Sequence, residues 1–423
     1  TVSGVEVGLR LAPGEGGVLP WNEGFAPMLA VQQSIDPFSY NTVPHEVDVP
    51  LTFEDWSEGA GTLDQAGAAL STSRYHFAQG VDASWPSVLY LSPARQAMTG
   101  ISSVPLYFAD TSKGFFCLAG ADIYEWDIAS QTWVSRYAGT AGTTTRHLVE
   151  MDGVLYVGRG DDDYVYSTDG STWTAFTTTN QDAWYFAVRS RKAGSVLFRI
   201  DDQGLIANTT DGRVGGIAWS AADEVGNTSE VTRGMVVVDD TMYVTKDRGY
   251  YSYTGTETQD LWQATYRAGS NGKNPYVWGN SKIYMPYGDR LVEFDPLGDT
   301  SFRYVYPTSR MLGNTEVLGQ ITAVGGDASH LYFTVKNAVG DTYLMKGDPD
   351  TGAWHPIAHL GANDCDALLV VGPNVVHATN PAVVCGRGST AVYYILPRVG
   401  FDPSTDGRCR FETTGFVYGP WVD

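Results

Sequence analysis

The sequence predicts an all-β fold, a β-propeller of seven four-stranded blades. Three observations lead there. Trp133, Trp173, Trp219, Trp262 and Trp354 each close a stretch of one shape, at intervals of 40, 46, 43 and 92 residues. Each stretch runs through an apolar strand, a second strand with tyrosines, a polar turn and then the aromatic. The last interval is two units long, and Asp295–Phe302 places a turn of the same kind at its halfway point. Four short strands repeated at this period make a propeller blade. Second, one strand recurs: Val154-Leu-Tyr-Val, Thr241-Met-Tyr-Val, Lys282-Ile-Tyr-Met and His330-Leu-Tyr-Phe. A strand so apolar on both faces lies between other strands of its sheet. Third, 48 glycines and 13 % aromatic residues against 18 % charged residues suit many short strands joined by tight turns.

Taken in chain order, residues 1–50 carry Pro and Gly with little periodicity and read as an extended N-terminal arm that packs on a neighbour. Residues 51–100 read as a lead-in of loops and short strands, ending in Val88-Leu-Tyr-Leu-Ser-Pro93. The propeller is expected over 101–400. Its first unit holds Leu106-Tyr-Phe, Gly114–Ala119, Asp122–Trp126 and Gln131–Val134, and its second runs from His147 to Thr174. Units three to seven span Trp184–Val225, Val231–Tyr266, Tyr276–Tyr306, Ile321–His359 and Ala367–Leu396. A ring must join its ends or expose strand edges. Either the tail, 401–423, or Val88–Leu91 is expected to supply the closing strand. Gly-Pro-Trp-Val-Asp423 reads as a hinge into a further segment, so a longer protein is expected.

Two stretches resemble propeller proteins of tailed-bacteriophage virions. One is Phe53-Glu-Asp-Trp-Ser-Glu-Gly-Ala-Gly61 followed by Arg74-Tyr-His-Phe-Ala-Gln-Gly-Val-Asp82; the other is the closing Thr-Gly-Phe-Val-Tyr-Gly-Pro-Trp-Val-Asp423. The resemblance covers residues 51–423 loosely. It implies a tail-associated virion component, assembled in the host cytoplasm as a homo-oligomer against tail or neck subunits, with no catalytic residues attached. A structural or host-recognition role follows, with a host surface glycan or protein as a further partner. The alternatives are a sialidase-like or depolymerase propeller enzyme and a secreted bacterial surface adhesin.

A net charge of −21 without a basic stripe argues against nucleic acid, whose binding needs clustered Lys and Arg to displace the counterions condensed on its phosphates. No apolar run has the length of a membrane span, and no signal-peptide core opens the chain. Thr-Val-Ser-Gly at the start reads as a product of initiator-Met removal. Cys117, Cys365, Cys385 and Cys409 form no CxxC pair, so zinc is not expected. Cys365 and Cys385 fall in one blade, where strands can bring them together, but buried free thiols are the preferred reading.

Among the motifs, Tyr166-Ser-Thr-Asp-Gly-Ser-Thr-Trp-Thr174 resembles the Asp-box turn of sialidases with one residue deleted. Asp169 is expected to cap the turn backbone while Trp173 packs between strands. Asp127–Trp133 and Asp348–Trp354 are looser versions. Trp133, Asp169, Trp173, Trp219, Trp262 and Trp354 are therefore assigned to blade turns, not to catalysis. A sialidase needs converging arginines, and Arg146, Arg159, Arg189, Arg199, Arg233 and Arg267 are the candidates. Asp161–Asp163 and Asp201–Asp202 lack the spacing of a calcium loop. Pro356 breaks the helix on which His355 and His359 would face one metal. No cofactor or metal is expected.

Overall fold

The computed structural model describes residues 56–61, 74–85, 88–93, 95–176, 182–191, 194–213, 219–279, 281–298, 300–311, 314–396 and 410–413, with short strands at Val18–Pro20, Leu29–Gln32 and Glu46–Val49. Seven four-stranded antiparallel sheets form a ring. Their innermost strands are, in order, Pro105–Thr111, His147–Met151, Tyr185–Arg191, Thr232–Val238, Tyr276–Trp278, Gly319–Gly326 and Leu368–Val371. Each packs beside the next, and the last returns to the first. The inner strands follow the expected units, but blade two also takes Asp182–Ala183 and blade seven takes Arg95–Met98, both outside the units expected.

The recurrent strand explains how the ring is glued. In blade six, Leu331 and Phe333 face the seam with blade five, while Tyr332 faces the seam with blade seven. Blade four repeats this with Met242 and Val244 on one side and Tyr243 on the other. Successive side chains of a strand point to opposite faces. A second strand that is apolar throughout therefore fills two seams at once. Among the described residues the buried apolar side chains fall into seven clusters, one per seam.

Closure differs from both expectations. The fourth, outermost strand of blade seven is Arg95–Met98, paired antiparallel with Thr390–Ile395 (Met98 opposite Ala391, Arg95 opposite Tyr394). Val88–Leu91 instead pairs with Val18–Pro20 and Val81–Trp85. In the tail, Arg410–Thr413 pairs with Tyr75–Gln79. Neither expected segment closes the ring. Arg95–Met98 is polar and short, without the apolar run that marks an inner strand. After it, the backbone N–H of Trp133 donates to Thr99 O at 2.8 Å, tying the chain to blade one. The remainder of the expected arm and of the tail, including Cys409 and the hinge, lies outside the described residues. Cys117, Cys365 and Cys385 are free and buried; the Cys365 thiol donates to Ala367 O at 3.3 Å.

The lead-in docks on the rim. Tyr75–Gln79 and Val81–Trp85 pack on Ala353–Gly361, the outer strand of blade six, which would otherwise be an open edge. Ala60 N donates to Trp354 O at 2.9 Å. Phe77 meets Tyr343 edge-on at 5.6 Å. Gly59 lies so close that a Cβ there would come within 2.6 Å of Trp354 N, and its φ of +84° already favours glycine. The stretches 53–61 and 74–82 that carry the phage resemblance thus include this docking surface.

His355 sits in that interface, 2 % exposed, sharing a 3.0 Å hydrogen bond with the Tyr75 hydroxyl. Burial lowers its pKa to about 4. As pH falls below the unfolded value near 6.5, the unfolded chain takes up this proton and the native state does not. Stability conferred by the neutral ring is complete above pH 6.5 and is lost towards pH 4, amounting to about 3 kcal/mol. Urea unfolding at pH 7 and pH 4 should therefore show the advantage of wild type over His355→Gln shrinking by about that amount. An unchanged difference would contradict a buried neutral histidine.

Candidate binding face

The turn after the third strand is built alike in most blades. Asp127, Asp169, Asp211, Asp295 and Asp348 each accept backbone N–H bonds from residues two or three positions on. The Asp169 carboxylate takes Ser171 N at 2.9 Å and Thr172 N at 2.7 Å, bonds that hold its pKa well below the usual range. Four of the five assigned tryptophans follow such turns. Trp133 is buried, 5.3 Å from both Phe115 and Trp126. Trp173 lies edge-on to Phe116 at 5.9 Å, and Trp219 edge-on to Tyr164 at 6.0 Å. Trp354 is fully buried, and its indole donates to Val305 O at 2.9 Å.

Trp262 is the exception. Trp133 and Trp354 stand opposite the penultimate residue of the third strand, Trp126 and Gly347. Trp262 stands opposite Tyr250, near the other end of its blade, and the position equivalent to Trp133 is held by Gln259. The 43-residue interval is therefore coincidental, because a tryptophan at either end of the outer strand reads alike in sequence. In blade five, Phe302 stands opposite Phe294, the last residue of the third strand, and stacks on it at 4.5 Å.

Trp262 instead joins the floor of a groove of about 840 Å³ between blades four and five. Its ring meets Tyr287 edge-on at 4.6 Å and stacks on Phe302 at 5.4 Å, which fixes the floor in the core. Tyr266 (49 % exposed) and Tyr304 (52 % exposed) stand as walls. The Arg290 guanidinium lies 4.6 Å from the Tyr304 ring centre and 3.8 Å from the Asp289 carboxylate. Gln263 and Gln320 offer amides at the edge. Gly288, at φ +64°, makes the tight turn between the second and third strands of blade five. A Cβ there would collide with the Tyr266 hydroxyl, so glycine is what lets this wall stand close. Sequence reasoning missed Tyr266, Tyr304, Asp289 and Arg290. Their only local mark is Tyr-Gly-Asp-Arg290, a common hairpin turn.

The six candidate arginines do not form one cluster. Arg159 Nη1 donates to Asp163 O, Arg199 Nη1 to Asp182 O and Arg189 Nη1 to Thr254 O, at 3.2, 2.6 and 3.2 Å. These three brace loops and seams. Arg267 is exposed. Arg146 immediately precedes the inner strand of blade two, and Arg233 is the second residue of that of blade four. Asp201 caps its own turn by accepting Gln203, Gly204 and Leu205 N–H groups at 2.8–2.9 Å. Asp161 accepts the Trp184 indole N–H at 3.0 Å. His355 and His359 have separate partners, Tyr75 and Asp341. Among the described residues no group of three or more His, Cys, Asp or Glu has metal-binding geometry, and no helix is long and apolar enough to cross a membrane.

Solved structures match this architecture. One is the extracellular domain described for a one-component system of B. thetaiotaomicron: 13 % identity, TM-score 0.52, covering 71 % of this chain and 40 % of that one. This chain thus spans less than half of that neighbour. YCF48, solved with D1 peptide, matches at 12 % identity and TM-score 0.51, covering 72 % and 99 %. The WD40 repeats of RRP9 match at 9 % identity and TM-score 0.52, covering 72 % and 98 %. The chain is a seven-bladed β-propeller. At these identities the likeness shows the fold alone, and propellers of this kind serve unrelated functions. No protein-family profile and no curated protein matches the sequence.

Proposed function

We propose that this propeller is a recognition module that binds a surface saccharide in the groove between blades four and five, in the setting of a tailed-phage particle. The observation that carries the binding reading is the pair of half-exposed rings, Tyr266 and Tyr304, around a groove edged by Arg290, Asp289, Gln263 and Gln320. A sugar ring presents C–H groups on its faces and hydroxyls on its rim. Aromatic walls suit the faces, and a few fixed polar groups suit the rim. Anchoring the floor in the core means that little side-chain freedom is lost on binding. Among the described residues, Asp289 is the one carboxylate lining the groove, whereas glycoside hydrolysis of the usual kind requires two. This supports recognition rather than cleavage. The phage setting rests on the sequence resemblance of residues 51–423.

The test is titration with polysaccharides purified from candidate bacterial hosts. One of them should bind, and Tyr266→Ala and Tyr304→Ala should each weaken it about tenfold or more, a loss of roughly 1.4 kcal/mol. The bound polysaccharide should release no oligosaccharide on prolonged incubation. Binding that is indifferent to both substitutions would remove the groove from the account. Recovery of the chain from purified virions tests the setting separately.

A further inference from the structure

We propose that the mouth of the central channel, on the face where the inner strands begin, is a second binding site, for a small molecule carrying an oxyanion, with Arg146 and Arg233 as its ligands on either side of Tyr185. Arg146 precedes the inner strand of blade two, Tyr185 opens that of blade three, and Arg233 is the second residue of that of blade four. The three strands are consecutive around the channel and packed side by side. Both arginines are close enough to Tyr185 to act electrostatically on its hydroxyl, against the effect of burial.

These two guanidinium groups differ from the others in the ring. Arg159, Arg189 and Arg199 also have an Nε closed off from solvent, but each spends a terminal nitrogen on a backbone carbonyl. Arg146 and Arg233 have a closed-off Nε and no hydrogen-bond or ion-pair partner among the described residues. Arg146 only lies against the Trp184 ring, 4.2 Å from its centre. Asp161, which reaches the same indole, accepts its N–H instead of pairing with Arg146. In each of these two arginines, the Nε–H is left without a partner away from solvent, which is costly, while the residue as a whole remains partly exposed. In a chain of net charge −21, carboxylates are in ample supply. Two arginines without one, at the inner strands on either side of blade three, are arranged for an anion that comes from outside.

Around these strands the described polar groups include a neutral histidine and a lysine already paired with a carboxylate. The His147 ring lies between Tyr107 and Tyr185, at 4.5 and 5.7 Å, and burial lowers its pKa to about 4. Lys273 is paired with Asp366 at 2.7 Å, joining the approaches to blades five and seven. Asn274 Nδ2 donates across the channel to Leu106 O at 3.4 Å, which narrows the side opposite the arginines. Two forked donor groups suit the paired oxygens of a phosphate, sulfate or carboxylate. The site shares no residue with the groove.

The experiment is calorimetric titration of the full chain at low salt with inorganic phosphate, sulfate and glucuronate. It is run on wild type, on Arg146→Gln/Arg233→Gln and on Arg290→Gln in the groove. At least one anion should bind and raise the Tm of wild type, and the affinity should fall as sodium chloride is added. The double variant should lose tenfold or more in affinity, and Arg290→Gln should leave it unchanged. Glucuronate alone binding would identify an acidic sugar, and phosphate or sulfate binding an esterified ligand. Absence of binding by all three overturns the proposal, as does equal binding by the double variant. The Tm of each variant without ligand shows whether it is folded. A neutral polysaccharide binding normally to the double variant would leave the groove standing.

Discussion

Lys346→Met is expected to destabilise the protein by about 3–5 kcal/mol, the range for removing one partner of a buried ion pair. Lys346 is 6 % exposed and Asp82 8 %. The ammonium donates to Asp82 Oδ2 at 3.2 Å and Ser84 Oγ at 2.9 Å, bonding the lead-in to blade six. Burial alone would raise the Asp82 pKa, but Lys346 and Ser84 outweigh it and the net shift is downward. The carboxylate is therefore charged at neutral pH, and methionine would leave that charge to the Ser84 hydroxyl and N–H (the latter at 2.9 Å) without its cationic partner. Methionine retains most of the apolar stem, so the loss reads charge and not volume. The companion variant Asp82→Asn/Lys346→Met should recover a large part of the stability, because it leaves no unpaired charge. Urea unfolding measures both. Equal losses in the single and double variants would mean that packing, not the pair, holds the lead-in. Limited proteolysis between residues 61 and 74 should quicken in the single variant if the lead-in lifts from the rim.

Trp354→Ala should cost a similar amount, about 3–5 kcal/mol, from lost burial and an unfilled cavity. The ring is fully buried and packs edge-on against Phe333 at 5.0 Å and Tyr306 at 6.1 Å. Its indole N–H satisfies Val305 O, and its backbone carries the Ala60 bond of the lead-in. Three bodies thus meet at one residue: blade five, blade six and the docked lead-in. Trp173→Ala, at the same kind of turn, should cost clearly less, since that ring is only partly buried. Thermal or urea unfolding of the two variants side by side tests the ranking, and equal costs would refute it.

The blade count was legible because its signals are local. An Asp that caps its own turn, a following aromatic, and an apolar strand filling two seams all act within about forty residues and repeat. The assignment of Asp169, Trp133, Trp173, Trp219 and Trp354 to turns used those signals; in the structure Asp169 accepts the backbone N–H groups of its own turn. Residues 51–100 lack the repeat in their texture, yet Arg95–Met98 within them is a blade strand.

What tertiary structure alone decided is non-local. Arg95–Met98 closes the ring although nothing in those four residues marks them, because an outermost strand needs only backbone pairing and one buried residue, Met98. Trp262 belongs to a groove floor and not a turn, a distinction made by register against Tyr250. The groove and the channel mouth are assembled from side chains on neighbouring blades, and each of those side chains lies in an unremarkable stretch. A period in sequence specifies the repeating unit, whereas binding surfaces form where units differ, and the ring geometry brings those differences together.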